Sequence, residues 1–229
     1  ASPELRTHLS QLNKITRELQ QIGMGLRMVT VRGTFNRMAR VVRDLTKNSG
    51  KKVEFITEGE DTELDKTVVD AIGDPLLHMI RNSVDHGLEA SAEDRVAVGK
   101  PAKGKVTLRA FHKGGNIHIE VEDDGRGLNR ELILSKAVER GVIREEDIPG
   151  MSERQIFGLI FAPGFSTAQT VTSVSGRGVG MDVVRRNIED LRGTIDIEST
   201  PGEGSVFSIH LPLTLAIIDG MLTGVGPER

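Results

Sequence analysis

Two histidines, an arginine, an asparagine and an aspartate stand close together in HMIRNSVDHG, residues 78 to 87, and all five can bind or move charge. At 100° per residue His78, Arg81, Asn82, Asp85 and His86 fall within an arc of about 140°, with Leu76, Leu77, Met79, Ile80 and Val84 opposite. The stretch therefore reads as an amphipathic helix with one polar face. A wet surface is one account of that face. A binding site is the other, because His, Asn and Asp are poor helix formers and solvated faces mostly carry Lys, Glu and Gln. Zinc does not suit the spacing, since the histidines lie eight residues apart and neither His-Glu-x-x-His nor a thiolate is present. Magnesium suits it better: the ion takes hard oxygen ligands, keeps water and shares its coordination with nucleotide phosphates. The Asn82 amide oxygen offers one such ligand.

Two glycine motifs lie downstream. VEDDGRGLN follows an alternating strand pattern, so Asp123 at the strand end can accept from a ligand amino group while Gly125 and Gly127 let the ligand lie against backbone. A plain Asp-Asp-Gly turn is the alternative there. In SGRGVGMDVV, Gly176, Gly178 and Gly180 precede a helix, where exposed amides and the positive helix end favour phosphate. The spacing is neither the Rossmann fingerprint nor the Walker loop, and protein-kinase signatures are absent. Between the motifs, IFAPGFSTA followed by QTVTSVSGRG is either a mobile lid or an ordinary surface loop.

These residues need elements to hold them. Leu5, Leu9, Leu12, Ile15, Leu19, Ile22 and Leu26 recur at steps of three and four, a narrow apolar seam that wants a partner helix, either a second copy or a helix from elsewhere. A second helical run over Phe35, Met38, Val41, Val42 and Leu45 stops at KNSGKK. KKVEFITEGE alternates like a strand, and LDKTVVDAIGDPLLHMIRNSVDHGL returns to helical spacing. Hairpins are predicted around Gly114 and Gly115 and around PGEG, with helices at RELILSKAVERG and GVGMDVVRRNIEDLRG. Between these two helices, from the end of RELILSKAVERG to about 177, the residues read as a long loop rich in Gly, Ser and Thr. Hairpins outnumber parallel crossovers, which predicts an α+β fold: a mixed sheet covered by helices on one face, a two-layer α/β sandwich preceded by a long helix.

Composition narrows the chemistry. A net charge of -3 argues against a nucleic-acid partner, and zero cysteines removes thiolate catalysis and disulfides. No apolar run is long enough for membrane insertion, and a cytoplasmic segment cut from a longer chain is expected.

The order of the motifs is the strongest signal. An asparagine-bearing helix, then VEDDGRG, then FAPGFST, then GRGVGMDVV resembles the N, G1, F and G2 boxes of the ATPase fold shared by gyrases, chaperones, histidine kinases and mismatch-repair proteins. Within that superfamily the four stretches look like the catalytic domain of CheA-type chemotaxis histidine kinases. The resemblance implies a partial helical dimerisation segment over 1–48, a Bergerat-type ATP-binding domain over 49–211, and over 212–229 the start of a regulatory domain that couples to receptor and adaptor. It implies ATP and Mg²⁺, with Asn82 and His86 as metal ligands, His78 facing the γ-phosphate and Asp123 accepting from the adenine amino group. Gly125 and Gly127 would flank the base, and Gly176, Gly178 and Gly180 would cradle phosphates. Arg81, Asp85, Ser166, Met181 and Ser205 complete the implied nucleotide contacts. The family often has two lysines after the G1 box; here Lys136 occupies one position and Leu132 the other.

The implied reaction is transfer of the γ-phosphoryl to a histidine on a separate phosphotransfer domain, with a response regulator downstream and a homodimer in the intact protein. A hydrolytic ATPase of the same superfamily and a signalling scaffold with weakened catalysis are the alternatives. His8 lacks the surroundings of an internal acceptor, and His112, His118 and His210 fall in strand patterns that read as structural.

Overall fold

The computed structural model describes residues 3–165 and 180–213. Helix α1 (Pro3–Gly25) leads through strand β1 (Met28–Thr30) into α2 (Arg32–Ser49). Strands β2 (Val53–Glu58) and β3 (Glu63–Asp65) precede α3 (Lys66–Asn82), which carries the polar face described above. A short α4 (Ala92–Ala97) is followed by the hairpin of β4 (Gly104–Lys113) and β5 (Asn116–Asp123). Then come α5 (Arg130–Glu139), α6 (Glu153–Gly158), α7 (Met181–Asp190) and the hairpin of β6 (Thr194–Thr200) and β7 (Gly204–Pro212).

Five strands form one sheet in the order β2-β4-β5-β7-β6, and β1 pairs with β3 separately. Among the described strands only β2 and β4 run parallel; the other neighbours are antiparallel, so the sheet is mixed as predicted. Lys113 opposes Asn116 across a two-residue turn whose Gly114 and Gly115 both have positive φ, 60° and 76°, the backbone that tight hairpins require.

Alternation along β5 decides what faces the helices. Ile117, Ile119, Val121 and Asp123 are buried, while His118, Glu120 and Glu122 point to the other, polar face. On β7 the matching row is Leu211, Ile209, Phe207 and Ser205, register partners of those four residues in turn. The core-facing surface is therefore apolar for most of its length and polar at one end. Helices α2, α3 and α7 cover it: Phe35, Met38, Ile72, Leu76, Met79, Ile80 and Ile188 are essentially inaccessible, as is Val84 just beyond α3. Each such side chain contributes roughly 1.5–3 kcal/mol relative to exposure. Helix α2 thus shares one core with the sheet, whereas the seam of α1 stays open, with Leu12 60% and Leu19 65% exposed.

The described residues of the predicted loop after α5 form short helical elements. These are a 3-10 turn over Glu145–Gly150, then α6, then a second 3-10 turn over Leu159–Phe161. Ser152 and Gln155 form a capping box in which the Ser152 N–H donates to Gln155 Oε1 at 2.8 Å. That Ser-x-x-Gln before IFGLIF was a readable helix start.

Candidate functional site

Helix α3 does not end as regular spacing predicts. Beyond Asn82 the chain widens into one π turn over Ser83–Gly87, closed by the Leu88 N–H donating to Ser83 O at 2.8 Å. An arc drawn at 100° per residue therefore fails past Ser83. His78, Arg81 and Asn82 remain half-buried on the helix, whereas Asp85 and His86 project outward from the turn. Widening leaves carbonyls without helical partners, and Lys51, on the loop between α2 and β2, supplies the donor. Its Nζ donates to Val84 O at 2.8 Å, Asp85 O at 3.1 Å and Leu88 O at 3.3 Å. Burial lowers the Lys51 pKa, with Asp85 opposing.

The π turn ends against the polar end of the sheet. A Cβ on Gly125 would lie 2.1 Å from Gly87 O, so the turn and the strand end meet backbone to backbone, and the Arg126 N–H donates to Gly87 O at 2.9 Å. Gly127 lies against the Thr200 carbonyl in the same way. Asp123 is 3% exposed at this junction. Its Oδ1 accepts from the Gly125 N–H at 3.1 Å, but Oδ2 has no hydrogen-bond partner among the described residues. Burial raises the Asp123 pKa, and the Gly125 N–H is the first of the groups opposing that rise. The buried Ser83 hydroxyl stands beside the Asp123 carboxyl and also opposes that rise. Ser205 stands opposite Asp123 in register, its hydroxyl 2.9 Å from that of Ser199, which also accepts from the Leu128 N–H at 2.8 Å.

At the other end of the site the Asn82 amide nitrogen donates to the Met181 sulfur at 3.0 Å. A thioether only accepts, so the contact fixes the amide with its nitrogen toward Met181 and its oxygen turned the other way. Gly180 caps α7 directly beside this contact, and the amides opening that helix favour an anion. Burial lowers the His78 pKa, Arg81 and His86 add to the effect, and Asp182 opposes it. The imidazole is consequently neutral near pH 7. Among the described residues no group of three or more acidic or histidine side chains could hold a metal ion.

Lys136 is half-buried on α5, and Leu132, one turn earlier, is 52% exposed. Arg140, just past α5, reaches the loop after the second 3-10 turn. Its guanidinium donates to the carbonyls of Gly164, at 2.6 Å, and Phe165, and lies over the Phe165 ring. Neither Lys51 nor Arg140 was legible in the sequence, because both act on backbone carbonyls far along the chain. Ser166, Gly176 and Gly178 lie outside the described residues.

The strand histidines stand apart from the site. His118 and His210 pair across β5 and β7 on the polar sheet face, Nδ1 to Nδ1 at 3.0 Å, and His118 stacks on Phe111.

The model of the family described as histidine kinase-, DNA gyrase B-, and HSP90-like ATPase matches residues 71–215. The chain belongs to that family. As a member it is an ATP-binding domain, and the junction around Asp123 lies within the matched span. The chain is 52% identical over 225 residues to chemotaxis protein CheA of Bacillus subtilis, covering 98% of itself and 33% of that protein. It is likewise 52% identical to the sensor histidine kinase CheAY of Helicobacter pylori, covering 98% of itself and 28% of that protein. The chain thus spans about a third of the length of these curated relatives. Among solved structures, the nucleotide-free catalytic domain of histidine kinase ThkA aligns with a TM-score of 0.52 at 18% identity, over 82% of this chain and 95% of that one. Its likeness supports the fold. Among the described residues no helix is long and apolar enough to cross a membrane.

Proposed function

We propose that this chain is the catalytic core of a CheA-type chemotaxis histidine kinase, which transfers the γ-phosphoryl of Mg-ATP to a histidine on a separate phosphotransfer domain. The observation that carries this reading is the buried Asp123 carboxylate with one open oxygen, at the end of β5 in a chain about half identical to CheA proteins. A buried acceptor without a donor is costly unless a ligand completes it, and an exocyclic amino group does so. The adenine then lies along Gly125 and Gly127, with Ser205 and Ser166 as further polar contacts. The phosphates extend toward Gly176, Gly178, Gly180 and Met181 at the start of α7, with Lys136, Arg81, Asp85 and His86 around them.

Asn82 Oδ1 fits a hard cation, and with His86 it would hold Mg²⁺. When bound, the ion neutralises charge on the phosphates. In the transfer itself, a ring nitrogen of the acceptor histidine attacks the γ-phosphorus in line, the bond to the β-γ bridging oxygen breaks, and ADP leaves. Such a reaction asks for positioning and charge neutralisation more than for covalent help. His78, uncharged near neutral pH, accepts a hydrogen bond from the incoming imidazole and keeps that ring neutral and oriented. A response regulator takes the phosphoryl onward, and the exposed seam of α1 pairs with a second copy in the intact, cytoplasmic protein, which receptor and adaptor regulate.

Labelled transfer tests the reaction. Incubation with γ-labelled ATP, Mg²⁺ and a separate histidine-bearing phosphotransfer domain should label that domain, and Asn82→Ala should abolish the label. Release of labelled phosphate to water at the same rate with and without the acceptor would contradict transfer.

A further inference from the structure

Asp123 and Asp124 are adjacent and have opposite surroundings. Asp123 keeps an oxygen open, whereas Asp124 is held at every polar atom. Its Oδ2 accepts from Arg95 Nη2 at 2.7 Å, its Oδ1 from the Lys105 N–H at 2.8 Å, and its own N–H donates to Lys105 O at 3.2 Å. Its carbonyl accepts from Lys100 Nζ at 2.8 Å. Lys100 also donates to Gly125 O at 2.6 Å and to Glu89 Oε1 at 2.9 Å. Glu89, 6% exposed, bridges to Arg95, 3% exposed, through Oε2 and Nη1 at 2.5 Å. Arg95 is fixed in turn by Pro101 O, which accepts from its Nε at 2.8 Å.

One peptide unit links this network to the site. The Asp124 carbonyl and the Gly125 N–H belong to the same planar group. Lys100 grips its oxygen side, and its nitrogen side donates to Asp123 Oδ1 at 3.1 Å. A cation on the carbonyl polarises the amide and strengthens the bond that the N–H makes. Rotation of that peptide would release Oδ1 and swing the open Oδ2 away from the junction. Charges buried this deeply contribute little net stability compared with apolar packing, so position is the better account of what they supply.

Resting on the adenine reading of Asp123, we propose that Lys100, backed by Glu89 and Arg95, is a positioning residue for recognition of a 6-aminopurine. It orients the Asp124–Gly125 peptide so that Asp123 presents Oδ2 to the ring amino group. Lys100 touches no nucleotide; it acts through the peptide.

The test compares binding of ATP with that of purine riboside triphosphate, which differs only in lacking the amino group. The unaltered chain favours ATP. Lys100→Met should weaken ATP binding about tenfold while changing binding of the purine analogue by less than about twofold, and Lys100→Arg should restore most of the preference. If Lys100→Met does not fold, as its unfolding curve would reveal, Lys100→Gln retains one donor and is read by the same ratio. Equal weakening toward both nucleotides would mean that Lys100 is merely structural and would overturn the inference alone. Equal binding of both nucleotides by the unaltered chain would overturn the adenine reading and the inference together.

Discussion

Burial holds the Asp123 carboxyl above its usual pKa, so its ionisation in the folded state works against stability. The sign follows from linkage: a raised carboxyl contributes stability below its unfolded value near 3.9, and that contribution is lost as pH rises through the folded value. On the proposed adenine contact, a charge that costs stability at neutral pH is the one that meets the ligand. Asp123→Asn should therefore raise the nucleotide-free melting temperature by about 2–4 °C, measurable by calorimetry. His78 and His210 have the opposite sign with respect to pH. Both pKa values are lowered, chiefly by burial, so the stability they contribute is present above about 6.5 and is lost as pH falls through their folded values. On the proposed role, in which a neutral His78 orients the acceptor, the transfer rate should fall on an acidic limb centred below about 6.5. His78→Gln should lower the rate roughly 100-fold and remove that limb from the pH profile. The places of Asn82 at the end of α3 and Asp123 at the end of β5 were legible because each sits inside a short motif. Lys51, Arg95, Lys100 and Arg140 were not, since a lysine or arginine that grips distant backbone carbonyls looks like any surface cation in sequence.

The elements that hold these residues were readable wherever periodicity and turn chemistry agree. Gly114 and Gly115 fixed the β4–β5 register, and the alternation from Ile117 to Asp123 put a carboxylate on the core face. The three-residue strands β1 and β3 are too short to show alternation, and the π turn leaves no mark because the apolar pattern up to Val84 is unchanged by it. Yet that turn sets Gly87 against Gly125 and aims His86 outward. Its stability depends on Lys51, whose ammonium serves three carbonyls. Lys51→Met should cost about 1 kcal/mol in denaturant unfolding, because partly buried acceptors are left without a donor. Nucleotide affinity should fall with it, and an unchanged unfolding midpoint would show that the turn stands without the staple.

At the scale of the whole molecule, the sheet, α2, α3 and α7 share one core, and α1 projects an apolar seam away from it. Leu9, Leu12, Ile15, Leu19 and Ile22 are each at least half exposed, at the three-and-four spacing of a helix that packs on another helix. Sedimentation should show concentration-dependent self-association, and Leu12→Asp with Leu19→Asp should abolish it without shifting the melting temperature of the core. The central claim is that one site reads base and phosphate at opposite ends: Asp123 at the strand end, Asn82 beside α7. Calorimetric titration with ATP, with and without Mg²⁺, tests it most directly. Asp123→Asn should lose affinity in both conditions, whereas Asn82→Ala should lose only the increment that Mg²⁺ supplies. Equal losses in the two variants regardless of Mg²⁺, or no loss in either, would contradict the account.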